Sequence, residues 1–183
     1  MAKPRIIGGV AKGRTIDIPR RGTRPSPSRL REALFDILAF HERGNFLDLF
    51  SGSGAVGLEA ASRGWRVTCI DNSREATTTI QHNARRLHLS VTVIQDDAMH
   101  FITAAKQRFS VIFAAPPYSF DLRKIFQDIL ASNIGTLYIF QHPSRLELEP
   151  GDAPTLHRTR SYGSNALSIF EVPATRASDS DAD

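Results

Sequence analysis

Short apolar runs alternate along this chain with segments whose apolar positions recur at helical spacing. The runs at 46–50, 66–70, 91–94, 111–114 and 137–140 are short and almost wholly apolar, as strands buried on both faces are. Between them, the segments opening at 55 and covering 73–87, 97–108 and 122–131 read as helices. Such strand-helix alternation with short links predicts an α/β fold, a doubly wound and mostly parallel sheet with helices on both faces. The end breaks the rule. Segments 156–162 and 166–172, joined by Gly163-Ser-Asn165, predict an antiparallel C-terminal hairpin, giving seven strands in all.

Ahead of the first strand, Arg5-Ile-Ile7, Gly8-Gly9 and the alternating Arg14-Thr-Ile-Asp-Ile18 predict a small β-hairpin. Ser26 as N-cap and Pro27 at the first helical position then open a helix with the stripe Leu30, Ala33, Leu34, Ile37 and Leu38. The expected organisation is a basic hairpin and helix over 1–40, packed on a core domain over 41–173. A small acidic tail over 174–183 is expected to be disordered.

Composition changes this picture little, and charge changes it more. At 183 residues with 41% hydrophobic side chains, the chain can bury a full single-domain core. The net charge of +4 is unevenly spread: residues 1–31 carry +8, with arginine outnumbering lysine. A basic end rich in planar guanidinium forks points to a polyanionic partner. The lone cysteine, Cys69, excludes an internal disulfide and reads as a small buried hydrophobe. His82, His88, His100, His142 and His157 have no metal-ligand spacing and read as surface residues, so no metal is expected. The start lacks the apolar core of a signal peptide, and no window reaches membrane-span length, so the expected setting is the cytoplasm.

Candidate chemistry centres on Phe46-Leu-Asp-Leu-Phe-Ser-Gly-Ser-Gly-Ala-Val-Gly57, a strand, a glycine turn and a helix start. Gly52, Gly54 and Gly57 fit G-x-G-x-x-G, and Asp71 ends the next run at the spacing where a carboxylate grips ribose hydroxyls. A nucleoside-bearing cofactor follows. The pattern does not separate NAD from S-adenosylmethionine, but Asp48 does: a buried carboxylate can face an ammonium and would repel a pyrophosphate. The fourth strand runs into Ala114-Ala-Pro-Pro-Tyr-Ser119, a stiff turn whose Tyr118 offers a face to a flat base.

The chain resembles the RsmD-type 16S ribosomal RNA guanine-N2 methyltransferases over nearly its whole length outside the acidic tail. The resemblance rests on Arg5-Ile-Ile-Gly-Gly9, Lys12-Gly-Arg14, Thr23-Arg-Pro25, Arg29-Leu-Arg-Glu-Ala-Leu-Phe35, Leu47-Asp-Leu-Phe-Ser-Gly-Ser-Gly54, Gly57-Leu-Glu-Ala60, Ser62-Arg-Gly64, Pro116-Pro-Tyr118 and Tyr162-Gly163. It implies a Rossmann-like class I fold and methyl transfer from S-adenosylmethionine to a guanine exocyclic amine in 16S RNA or the assembled small subunit, by a monomer. Asp48, Ser51, Gly52 and Gly54 are expected at the methionine end and Asp71 at the ribose, with Phe50, Ser53, Asn72 and Ala98 completing the cofactor set. Asp97 is placed near the adenine amine, with Asp96 or a helix-cap role for Asp97 as alternatives. Ala115, Pro116, Pro117 and Tyr118 form the catalytic loop, Tyr118 stacking on the guanine. Arg5, Lys12, Arg14, Arg24 and Arg29 are expected to hold phosphates.

The sequence departs from the family pattern where relatives carry Asp or Asn before Pro-Pro-Tyr and this chain has Ala115. In the family that side chain, with the carbonyl at position 116, accepts hydrogen bonds from the target amine. A second departure is Gln141, where relatives tend to carry Glu. Two other readings stay open: an N6-adenine DNA methyltransferase, and a relative that binds cofactor and RNA without catalysis.

Overall fold

The computed structural model describes residues 3–20, 25–149 and 156–172, with the backbone alone for 156 and 157. The elements follow in chain order as α1 (Ser28–Ile37), β1 (Asn45–Leu49), α2 (Ala55–Ser62), β2 (Arg66–Asp71), α3 (Arg74–Leu87) and β3 (Val91–Gln95). There follow α4 (Ala98–Ala104), β4 (Phe109–Ala114), α5 (Leu122–Ala131), β5 (Gly135–Pro143), β6 (Leu156–Tyr162) and β7 (Asn165–Glu171). The strands form one seven-stranded sheet in the order β3-β2-β1-β4-β5-β7-β6. The first five are parallel, and β7 and β6 close the sheet antiparallel. The expected Rossmann-like architecture with its C-terminal hairpin is what forms.

Alternation along each strand divides the core in two. Phe46, Cys69, Val111, Phe113, Leu137 and Ile139 face the side covered by α1, α2 and α3. Leu47, Leu49, Ile70, Ile112, Tyr138 and Phe140 face α4 and α5. Phe35 stacks on Phe46 at 6.3 Å between ring centres, and Trp65 meets Phe46 edge-on at 5.8 Å. These contacts fix α1 over the first strand. The strand order reverses between β1 and β4, so their two following loops diverge and open a crevice at the carboxyl edge of the sheet.

The amino-terminal segment forms the expected small hairpin in a reduced form. One antiparallel bridge joins Arg5 to Thr15, and Ile6 N–H donates to the Arg14 carbonyl at 2.9 Å, Gly13 N–H to Ile6 at 2.8 Å and Ile16 N–H to Pro4 at 2.9 Å. Further backbone groups go to side chains of the core: Ile7 and Gly8 N–H donate to Glu59 at 2.8 Å each, Ala11 N–H to the Ser62 hydroxyl at 2.9 Å, and Asp17 N–H to Asn83 at 2.9 Å. Ile6 and Ile16 are buried beneath them. Gly9 has φ +77°, and a Cβ there would overlap the Ser62 carbonyl, so the loop lies directly on the end of α2. The segment is thus both paired with itself and laid on the domain.

Three boundaries move. Pro27, not Ser26, is the N-cap of α1, and it supplies no side-chain cap; the Ser26 hydroxyl instead donates to Gln141 at 2.8 Å. The helix expected over 97–108 stops at Ala104, because Ala105 turns extended. The fifth strand runs on to Pro143, held by its pairing with Asn165 on β7. His142 is buried rather than on the surface, its Nε2 2.8 Å from the Ser168 hydroxyl, which in turn meets Thr159. Cys69 is buried as expected. Arg24 and the tail over 174–183 lie outside the described residues. Among the described residues, no helix is long and apolar enough to cross a membrane, and no group of His, Cys, Asp and Glu has the makings of a metal site.

Candidate active site

The turn after β1 is built by backbone geometry. Phe50, Gly52 and Gly54 all have positive φ, at 59°, 53° and 75°. For Phe50 this conformation costs about 1–3 kcal/mol, the kind of strain kept at ligand cradles. Ser51 N–H donates to the Ile70 carbonyl at 2.9 Å and its hydroxyl to the Asp48 carbonyl at 2.7 Å, while Gly54 N–H closes onto Ser51 at 2.7 Å. A Cβ on Gly54 would press into Ile80 at 2.6 Å.

Asp48 stands under this turn, 1% exposed. Its Oδ2 accepts the Gly57 N–H at 2.9 Å, and among the described residues it has no cationic partner. Burial pushes its pKa up to about 8; the Gly57 hydrogen bond opposes this and the charge of Asp71 adds to it. A carboxyl of this kind is held neutral until a cation arrives. Asp71 grips the loop from the other side, Oδ2 accepting Gly52 N–H at 2.7 Å and Oδ1 accepting Ser73 N–H at 2.9 Å.

A cleft of about 1140 Å³ opens over the turn. Asp48, Phe50, Ser51, Gly52 and Ser53 form its floor, and Ala115, Pro116, Pro117 and Tyr118 form the facing wall. Tyr118 is 47% exposed at the rim, and its hydroxyl donates to Asn165 at 2.6 Å. Partial burial raises its phenol pKa, against a hydrogen bond from Gln141. Gln141 itself is buried and lines the same wall, its Oε1 accepting from Ser26.

The third wall is cationic: Lys3, Arg5 and Arg31 line it beside Ser26, Pro27 and Ser28 at the uncapped start of α1. Arg31 is 2% exposed. It donates to the Arg5 carbonyl at 3.0 Å and pairs with Glu59 at 3.4 Å, a carboxylate that also takes Arg63 at 2.8 Å. Burial lowers the Arg31 pKa and Glu59 counters it. One carboxylate between two guanidiniums leaves a positive balance, and helix-start N–H groups add to it. The cleft therefore offers a buried carboxyl and a cationic wall, which fits the ammonium and carboxylate of an α-amino acid.

Several expected residues lie elsewhere. Gly54 and Asp71 hold the turn from outside the cleft lining, and Asn72 is exposed, its carbonyl accepting from the Gln95 amide at 3.3 Å. Asp97 caps α4, accepting from Met99 and His100 N–H at 2.9 and 3.0 Å, and Ala98 is buried behind it. Asp96 is held below the usual carboxylate range by His100, whose ring sits 2.9 Å away. Of the basic set, Arg5 reaches the cleft; Lys12, Arg14 and Arg29 are exposed outside it, Arg14 bonded to the Arg86 carbonyl. Ser26, Arg31 and Asn165 reach the cleft without any signal in their local sequence.

A seven-stranded sheet reversing at β1/β4, a strained glycine turn over a buried carboxyl and a Pro-Pro-Tyr loop across the cleft define a class I, S-adenosylmethionine-dependent methyltransferase fold. The family model described as conserved hypothetical protein 95 matches residues 4–171. Ribosomal RNA small subunit methyltransferase D of Escherichia coli K12 is 31% identical over 186 residues, covering 97% of this chain and 94% of that one. A hypothetical protein of Thermus thermophilus superimposes with a TM-score of 0.85 at 45% identity, covering 92% of this chain and 99% of that one. An RNA methyltransferase of Salinibacter ruber, solved with S-adenosylhomocysteine, shares the fold at a TM-score of 0.64 and 17% identity, over 87% of this chain and all of that one. The chain belongs to the conserved hypothetical protein 95 family, that of the RsmD-type methyltransferases.

Proposed function

We infer that the chain transfers the methyl group of S-adenosylmethionine to the exocyclic N2 amine of a guanine in 16S ribosomal RNA of the small subunit. The observation that carries the reading is that one cleft joins an amino-acid-sized pair of charges, at Asp48 and the Arg31 wall, to a Pro-Pro-Tyr loop at its rim. The cofactor supplies an activated methyl group bound to a sulfonium. The chain supplies position and electrostatics. Asp48 takes the ammonium, Ser51, Gly52 and Ser53 cradle the methionine end, and Phe50 shapes the turn. Asp71 holds the Gly52 amide from behind, close enough to the turn for its spare lone pairs to take ribose hydroxyls. Tyr118, anchored by Asn165, presents its ring to a base turned out of the RNA. Arg5 and Lys3 at the lip, with Lys12, Arg14 and Arg29 beyond it, hold phosphates.

Names of relatives support the ribosomal substrate, and the basic amino-terminal segment supports an RNA partner. The test is incubation of small ribosomal subunits lacking the modification with labelled S-adenosylmethionine, followed by nucleoside analysis. Label in N2-methylguanosine is the expected result. Label in N6-methyladenosine, or transfer to DNA alone, would replace the reading. Ala115 favours one other reading, a protein that binds cofactor and RNA without transfer; it predicts binding of both with no label incorporated.

A further inference from the structure

Ala115 leaves the catalytic loop without a side-chain acceptor, and the sheet places another beside it. Parallel pairing joins Val111 to Leu137, Phe113 to Ile139 and Ala114 to Phe140. Continued by one step, the register sets Ala115 against Gln141, on neighbouring strands that run about 4.8 Å apart. Both belong to the face that carries Phe113 and Ile139, and both line the cleft. Gln141 is 8% exposed, so its amide is held in the wall and not spread over the surface.

Its hydrogen bonds fix which end faces which way. The Ser26 hydroxyl donates to Oε1 at 2.8 Å, and on the same wall the Tyr118 hydroxyl donates to Asn165 Oδ1 at 2.6 Å. An amide oxygen has two lone pairs. Ser26 uses one, and among the described residues nothing uses the other.

Resting on the reading of this chain as an amine methyltransferase, we propose that Gln141 Oε1 accepts a hydrogen bond from the target amine and so replaces the acceptor missing at Ala115. The oxygen points the amine lone pair at the methyl carbon. As the N–C bond forms the C–S bond breaks, sulfur keeps that electron pair, and the amine loses one proton to solvent. Gln141 takes no proton; it orients the amine and stabilises the positive charge growing on nitrogen. Ser26, one residue before the cap of α1, is a positioning residue that fixes the amide. The amino-terminal segment would then take part in setting the reacting geometry.

The experiment is single-turnover methylation of unmodified small subunits by the chain as given, Gln141→Ala, Ala115→Asp and the double variant. Calorimetry with S-adenosylhomocysteine accompanies each. Loss of one preorganised transition-state interaction predicts a rate about 10²-fold lower for Gln141→Ala, at unchanged S-adenosylhomocysteine affinity. Adding Ala115→Asp to Gln141→Ala should restore the rate. Gln141→Met, of similar shape and without the acceptor, gives the same reading if Gln141→Ala fails to fold. An undiminished rate for Gln141→Ala overturns the proposal, and so does a double variant as slow as Gln141→Ala, since a purely structural role would not be rescued from position 115. No transfer by the chain as given also overturns it; transfer by Ala115→Asp in that case would leave the methyltransferase reading standing, and no transfer by either, with cofactor bound, would remove both.

Discussion

Burial keeps the Asp48 carboxyl protonated up to about pH 8 in the cofactor-free protein. The unfolded chain gives up that proton near the ordinary value of about 3.9. Between those two limits the folded state binds more protons than the unfolded one, so this group's contribution to stability falls as pH rises from about 4 to about 8. Asp48→Asn keeps an acceptor for Gly57 N–H and removes the titration. Its melting temperature should therefore gain on the parent across that window, a difference read by thermal unfolding at several pH values. An ammonium brought beside Asp48 favours the ionised form. S-Adenosylhomocysteine binding at pH 7 should then release a proton, seen as a dependence of calorimetric heat on buffer ionisation enthalpy, and Asp48→Asn should abolish it. Heats independent of buffer in the parent would place the ammonium elsewhere. Asp48 was legible because its hydrogen-bond partner, Gly57, belongs to the same continuous strand-turn-helix motif. Gln141, Ser26 and Asn165 were not legible as a set, because only the β4–β5–β7 register and the docking of α1 bring them together.

Among the elements, α2 holds the amino-terminal segment through one residue. Glu59 is fully buried and accepts from Ile7, Gly8, Arg31 and Arg63. Glu59→Ala leaves two N–H groups and the buried Arg31 without their acceptor. Breaking a buried pair from one side costs about 3–5 kcal/mol, measured by urea unfolding. Arg31 lines the cleft, so S-adenosylhomocysteine affinity should fall with it. Arg63→Ala removes a partner that is 25% exposed and should cost no more than about 1 kcal/mol. Equal losses for the two variants would deny Glu59 its central role. Alternation in Arg14-Thr-Ile-Asp-Ile18 predicts strand pairing, and Thr15 and Ile16 do pair with Arg5 and Pro4; the same alternation also buries Ile16 in the core while its neighbours bond to α3, which the local pattern does not show. Strand and helix order elsewhere was readable, since period and turn residues are local properties, whereas the early stop of α4 was hidden in a segment that still had helical spacing.

Across the whole molecule, the sheet order and the basic end were legible together, one from alternation and the other from charge counting. Which basic residues face the cleft was not, since that depends on how the segment lies over α2. Lys12, Arg14 and Arg29 are exposed and outside the cleft lining, so replacing all three by Ala separates RNA affinity from cofactor affinity. The slope of log affinity against log salt should flatten by about 0.7–0.9 for each phosphate no longer neutralised, with S-adenosylhomocysteine binding unchanged. An unaltered slope would make these charges solvated surface only. The two ends of the described chain also leave the molecule at different places. Lys3 and Pro4 line the cleft, whereas β7 runs from Asn165 at the cleft edge to Glu171, which pairs with Leu137 near the opposite edge of the sheet. Any affinity tag or fusion partner placed ahead of Lys3 would hang across the cleft entrance, and a carrier attached after Val172 would start from the far side, which makes the carboxyl end the place to tether or immobilise this protein for binding measurements.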